Sequence, residues 1–293
     1  MIPLDVEADM KTWLSAAGVI AVVAAISPSL SAQWPAYPTP GVPKTADGKP
    51  DLTAPAPRTL DGKVDLSGVW TNVRTAGRGG RGQPAAPPAP PASGPPVGNF
   101  GNAGANFPGG LPFQPWALEL QKKRQAERSK DNPDALCLPM GFLQFHGHGM
   151  PRKTVQNPQV IVILYEANGG MREIFTDGRP LPNNDPNPWW YGYSTGKWEG
   201  DTLVVESIGF RDDGWLDIIG SPLTEEAKLT ERFRRVNFGN LEIDVTVNDP
   251  KAYTKPWTVR YNQRIVLDQE MMEFVCAEGQ KFDKYLRGDF LKK

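Results

Sequence analysis

The sequence predicts a mainly β protein whose strands run as an antiparallel meander and close into a barrel. Three observations carry this. From Lys153 onward, apolar and polar residues alternate with the period of a strand, as in LEIDVTV (241–247) and WTVRYNQRIV (257–266). Turn signals separate these runs: Asn-Gly-Gly at 168–170, Glu-Gly-Asp at 199–201 and Asn-Phe-Gly-Asn at 237–240. Counting GVW (68–70), there are about eight to ten strands and one or two short helices, and a meander of that size hides its edges by closing on itself.

Taken in order, residues 1–32 read as a secretory signal. Lys11 leads into an apolar run over 14–26 that ends in Leu-Ser-Ala. The run falls short of the roughly 20 apolar residues of a membrane span, although a retained anchor helix is the alternative. The expected location is periplasmic or secreted, with no membrane span in the mature chain. Residues 33–66 form an extended arm rich in proline and glycine. It repeats once, as TADGKPDLT (45–53) and TLDGKVDLS (59–67), each copy with an Asp-Gly turn signal. The first strand lies in 67–75. The low-complexity stretch 76–114 is expected to be a disordered insertion, because it offers little apolar surface to offset its ordering entropy. The body, 115–293, forms one domain with 67–75. It opens with PWALELQKKRQAERSK, a helix with proline in its first turn, expected to dock through Trp116 and Leu120. A short helix is expected around 223–228.

The chain carries 32 Lys and Arg against 33 Asp and Glu, a net charge of −1, which does not favour nucleic-acid binding. Its two cysteines, Cys137 and Cys276, point to one disulfide in an exported chain, with two buried thiols as the alternative. No Gly-x-Ser-x-Gly, phosphate loop or dinucleotide fingerprint is present, and no cofactor is expected.

Strand alternation assigns faces. In the hairpin WWYGYSTGKWEGDTLVVESIGF (189–210), Gly192, Ser194, Gly196 and Trp198 share a face with Leu203, Val205 and Ser207. That face sets small residues over aliphatics and leaves a gap for a third body. The other face places Tyr193 beside Glu206. In the hairpin 229–247, a turn over 237–240 pairs 234 with 243 and 232 with 245. Arg232 and Arg234 then lie among Leu241, Ile243, Val245 and Val247, while Glu231, Phe233 and Arg235 look solvated. Arginines inside a barrel would need an anionic partner. The alternative is that they snorkel over an outer face. Arg260, beside Tyr261, carries the same ambiguity.

An early Gly-x-Trp followed by a tight-turned meander resembles the calycins, the lipocalin and fatty-acid-binding barrels. That resemblance implies an arginine–tyrosine pair holding a ligand carboxylate, from Arg232, Arg234 or Arg260 with Tyr261. The chain also resembles a bacterial family of exported proteins without assigned activity. The shared motifs are DGKxDLSGVW (61–70), a CLP segment (137–139), GxWEGDTLVVES (196–207), TERFRR (230–235) and DPKAYTKPW (249–257). This resemblance supports export and a disulfide.

These readings lead to an exported barrel that binds a small hydrophobic or ring-containing ligand, with an anionic group as one option, through Arg232, Arg234, Arg260, Tyr261, Tyr191 and Trp198. An enzyme on the same barrel, a lyase, isomerase or hydrolase using Glu206, Tyr193 or His148, is the alternative. A structural envelope protein is a third reading. His146 and His148 could share a metal only with further ligands, so no metal site is assigned.

Overall fold

In the computed structural model of the protein, which describes residues 37–73, 94–182 and 188–276, nine strands close into a barrel. They are β1 (Gly68–Asn72), β2 (Arg152–Gln156), β3 (Val160–Tyr165), β4 (Met171–Phe175), β5 (Tyr193–Glu199), β6 (Thr202–Ile208), β9 (Lys228–Arg235), β10 (Asn240–Asn248) and β11 (Trp257–Ile265). Two further strands, β7 (Gly214–Trp215) and β8 (Pro222–Leu223), pair with each other outside the barrel. The wall runs β1-β11-β10-β9-β6-β5-β4-β3-β2, and β1 closes it by pairing with both β11 and β2. Closure leaves no unpaired edge. The meander is antiparallel at every joint but one. β4 and β5 are parallel, with Ile174 opposite Ser194, because the long connection after β4 returns the chain to the end it started from.

Strict alternation along β10 and β11 puts Leu241, Ile243, Val245, Val247, Val259, Tyr261 and Ile265 into the core. They meet Ile161, Ile163, Ile174, Leu203, Val205, Leu229 and Phe233 from the other walls, with Trp70 of β1 fully buried among them. The Trp70 indole N–H donates to the Leu66 carbonyl at 3.0 Å, so its polar edge is satisfied.

Two α-helices are described. α1 (Pro115–Ala126) forms where its proline predicts, but it docks through Ala117 and Gln121. Trp116 is exposed and donates its indole N–H to the Lys251 carbonyl. α2 (Phe142–Gly147) was not anticipated, and all six of its residues are buried. The helix expected around 223–228 is absent. Its place is taken by β8 and a turn in which Asp249 accepts from the Thr224 backbone and hydroxyl, both at 2.8 Å.

The two repeat copies fold alike. Thr45 N–H donates to Lys49 and Thr59 N–H to Lys63, while Gly48 and Gly62 adopt φ near +80°. A positive φ is what the Asp-Gly signal anticipates. The proposed signal, 1–32, lies outside the described residues, as does 76–93. Residues 94–114 are a correction to the expected disorder: they pack on the barrel, with Ala103 fully buried and Gly98 N–H donating to the Arg260 carbonyl. Aromatic anchors supply the apolar surface that composition alone concealed, with Phe107 edge-on to Trp257 and Phe113 against Tyr253. Cys137 and Cys276 form a disulfide. No described helix is long and apolar enough to cross a membrane.

Candidate functional site

The barrel interior holds a polar centre. Glu231, on the inward face of β9, is fully buried. Arg172 of β4 grips its carboxylate with both terminal nitrogens, one of them at 2.9 Å. The same guanidinium donates to Ser194 Oγ of β5 and Ser207 Oγ of β6, each at 3.0 Å, and lies over the Phe142 ring. This resolves the gap on the first hairpin: Ser194, Gly196 and Ser207 are small because Arg172 and Ile174 of β4 occupy the space above them.

α2 brings a third member. His146 Nε2 lies 2.9 Å from Glu231 Oε1. Burial pushes the Glu231 carboxyl up, but Arg172 and His146 pull it down further, to about 2. Burial lowers His146, an effect that Glu231 only partly offsets. Glu231 is therefore an anion that accepts, and His146 is a neutral imidazole donating from Nε2. Its Nδ1 is then a bare acceptor, buried and without a hydrogen-bond partner. The Tyr261 hydroxyl of β11 is likewise buried and unpartnered, and the two rings lie 5.8 Å apart between centroids. Gln263, two residues along the same inward face, has an unpartnered amide nitrogen. Phe142, Phe145, Phe233 and Tyr165 complete an aromatic shell around this centre.

The expected site residues are distributed differently. Tyr261 reaches the centre. Tyr191 packs edge-on to Phe145 at 4.8 Å, and Trp198 stands opposite Leu203 on the inward row, half-buried. Arg232, Arg234 and Arg260 are on the outer face, the snorkelling alternative rather than the inward placement. Arg232 pairs with Glu199, Arg234 with Glu242, and Arg260 with Asp244 and Glu242. The cause is one residue of register. Val236 N–H donates to Asn240, so the loop is 237–239, Arg235 opposes Leu241 and Phe233 opposes Ile243. A one-residue slip exchanges the two faces of a strand. Glu231, assigned to solvent, is thereby a fully buried carboxylate of the barrel wall, and the arginines snorkel.

Glu206 and Tyr193 also face outward. Glu206 pairs with Lys228, and Tyr193 stacks on Phe175 and accepts from Arg179. They do not form an interior acid–base pair. His148 Nδ1 accepts from the Met150 N–H, and its ring meets Phe100 at 4.6 Å. His146 and His148 thus turn to different partners, and no group of three or more His, Cys, Asp or Glu converges among the described residues.

Sequence reasoning missed Glu231, Arg172, Ser194 and Ser207 as site residues. For Glu231 a signal existed: Leu229 and Phe233 share its parity, and apolar residues of one hairpin belong on one face. Arg172, in MREIF, carried no signal, since its partners come from three other elements.

Outside the barrel, a cleft of about 700 Å³ is lined by Pro188, Phe210, Arg211, Asp212, Asp213 and Glu225. Arg211 is stacked over Trp190 there and paired with Asp213. No protein-family model matches the chain, and no curated protein sequence is significantly similar to it.

Proposed function

We propose that the chain is an exported protein whose barrel binds a small, neutral, ring-containing compound bearing a hydroxyl or carbonyl group. The observation that carries this is the pair of buried, unpartnered polar atoms, His146 Nδ1 and Tyr261 Oη, inside an aromatic shell. Buried polar groups are rarely left unpaired, and one hydroxyl could accept from Tyr261 while donating to His146. Flat rings suit the surrounding aromatics. A neutral ligand suits the interior guanidinium groups, which are engaged except at the buried, unpartnered Arg152 Nε. Arg172 is held by Glu231, Arg152 by the carbonyls of His146 and His148, and Arg235 by those of Asp65 and Phe238. Export is supported by the apolar run at 14–26 and by the disulfide.

The test uses β-naphthol, a fused ring with one hydroxyl, titrated while tryptophan fluorescence is recorded. Saturable quenching is expected. It should weaken in His146→Gln and persist in Arg232→Ala. Equal affinity in wild type and His146→Gln would refute the placement.

A further inference from the structure

We propose that His146, positioned by Glu231, acts as a general base that removes a proton from the carbon beside a carbonyl group in a bound cyclic ketone. Tyr261 donates its hydroxyl hydrogen bond to the carbonyl oxygen. This rests on the binding reading above and adds chemistry to it.

The geometry sets the roles. The Glu231 carboxylate, 2.9 Å from His146 Nε2, fixes which imidazole nitrogen carries hydrogen. It also leaves Nδ1, the basic atom, buried without a hydrogen-bond partner. Arg172 anchors Glu231 from behind, and Ser194 and Ser207 anchor Arg172. A buried ion pair of this kind is on average no more stabilising than apolar residues of equal volume, so stability alone is a weak reason for it. A base oriented by a carboxylate that is itself held is an arrangement that suits general-base catalysis.

The step balances without any other reactant. The His146 Nδ1 lone pair takes the proton, and the C–H electron pair becomes the carbon–carbon double bond of an enolate. The carbonyl π electrons move to oxygen, whose negative charge accepts the hydrogen bond of the Tyr261 hydroxyl, which keeps its proton. The resulting imidazolium is paired with Glu231. Once the imidazolium has traded its hydrogen with solvent, returning hydrogen to the same carbon exchanges it, and returning it to a carbon two bonds further along an unsaturated ketone isomerises the double bond. Burial keeps His146 neutral, hence available as a base, at neutral pH. Burial also holds the Tyr261 hydroxyl protonated. Residues 94–110 cover this side. Gly98 lies so close that a β-carbon there would sit 2.8 Å from the Tyr261 hydroxyl oxygen, and Gly147 packs on the Phe100 backbone.

The test uses β-tetralone, a fused aryl ketone, with the full chain in D2O. Proton NMR follows loss of its α-hydrogens, and tryptophan fluorescence follows its binding in parallel. Exchange is expected to exceed buffer, to be inhibited by β-naphthol, and to fall about a hundredfold or more in His146→Gln. Its pH profile should report His146 as influenced by the charged or titratable groups packed around it: Glu231 on β9, Arg172 on β4, Arg152 on β2, Tyr165 on β3 and Tyr261 on β11. In Glu231→Gln the midpoint should move to lower pH, since the carboxylate raises the basicity of His146, whereas a purely structural role would reduce the rate without moving the midpoint. Saturable quenching with exchange no faster than in His146→Gln overturns the base and leaves the binding reading intact. No saturable quenching by either compound overturns both.

Discussion

Alternate residues of β9 should respond to truncation in opposite ways. Glu231, Phe233 and Arg235 face inward and are buried, while Arg232 and Arg234 face outward and are exposed. Glu231→Gln keeps the volume but leaves the buried Arg172 without its counter-charge, a change that costs about 3–5 kcal/mol. Phe233→Ala removes a buried ring lying opposite Ile243 and should cost about 3–5 kcal/mol. Arg232→Ala breaks only an exposed pair with Glu199, and Arg234→Ala one with Glu242, each costing about 0–1 kcal/mol. Urea titration of each variant reads the difference as a shifted midpoint at unchanged slope. A one-residue register shift would invert the pattern. Arg232→Ala as costly as Glu231→Gln would therefore refute the interior assignment of the site.

Three further outcomes are expected. Acid should weaken the wild type more than Glu231→Gln. Glu231 falls from its ordinary 4.5 to about 2 on folding, so its contribution is complete above about 4.5 and is lost as pH falls toward 2. His146, held below its usual 6.5, adds to this below that pH, because the unfolded chain then binds its proton more readily. Equal acid sensitivity in the two proteins would contradict the ion pair. Reducing the Cys137–Cys276 bond, which joins residues 139 apart, should lower stability by up to about 5 kcal/mol in the chain-entropy limit, measured by urea titration with and without dithiothreitol. Gly98→Ala should cost about 1–3 kcal/mol by forcing a methyl group against Val259 and Tyr261, with contacts of 2.6 and 2.7 Å. Faster β-naphthol association in that variant would show that 94–110 covers the site, and an unchanged rate would show that it does not.

The barrel was legible because alternation is a local property. β10 and β11 could be read from single runs, and so could the Asp-Gly turns of the repeat and the helix beginning at Pro115. The parallel β4–β5 joint was not, since it depends on where the chain returns after a long connection. The site was legible only in part. Tyr261 and His146 were noticed as residue types, but the arrangement depends on loop parity at 237–239 and on α2 entering the barrel. No period announces either feature. A run of six residues that are all buried has no amphipathic pattern to detect. Arg232 and Arg234 drew attention as charges among aliphatics, yet charges on an outer wall need only each other. The buried carboxylate one residue away was the more informative group, because its placement requires partners from two other elements.

The chain has two histidines, so a nitrogen-15 spectrum of its imidazoles contains only His146 and His148. At neutral pH, His146 should appear neutral, with hydrogen on Nε2 and a bare Nδ1. Adding β-naphthol should move the Nδ1 resonance toward that of a hydrogen-bonded acceptor and leave His148 little changed. Hydrogen on Nδ1 in the free protein, or a response confined to His148, would contradict the interior site.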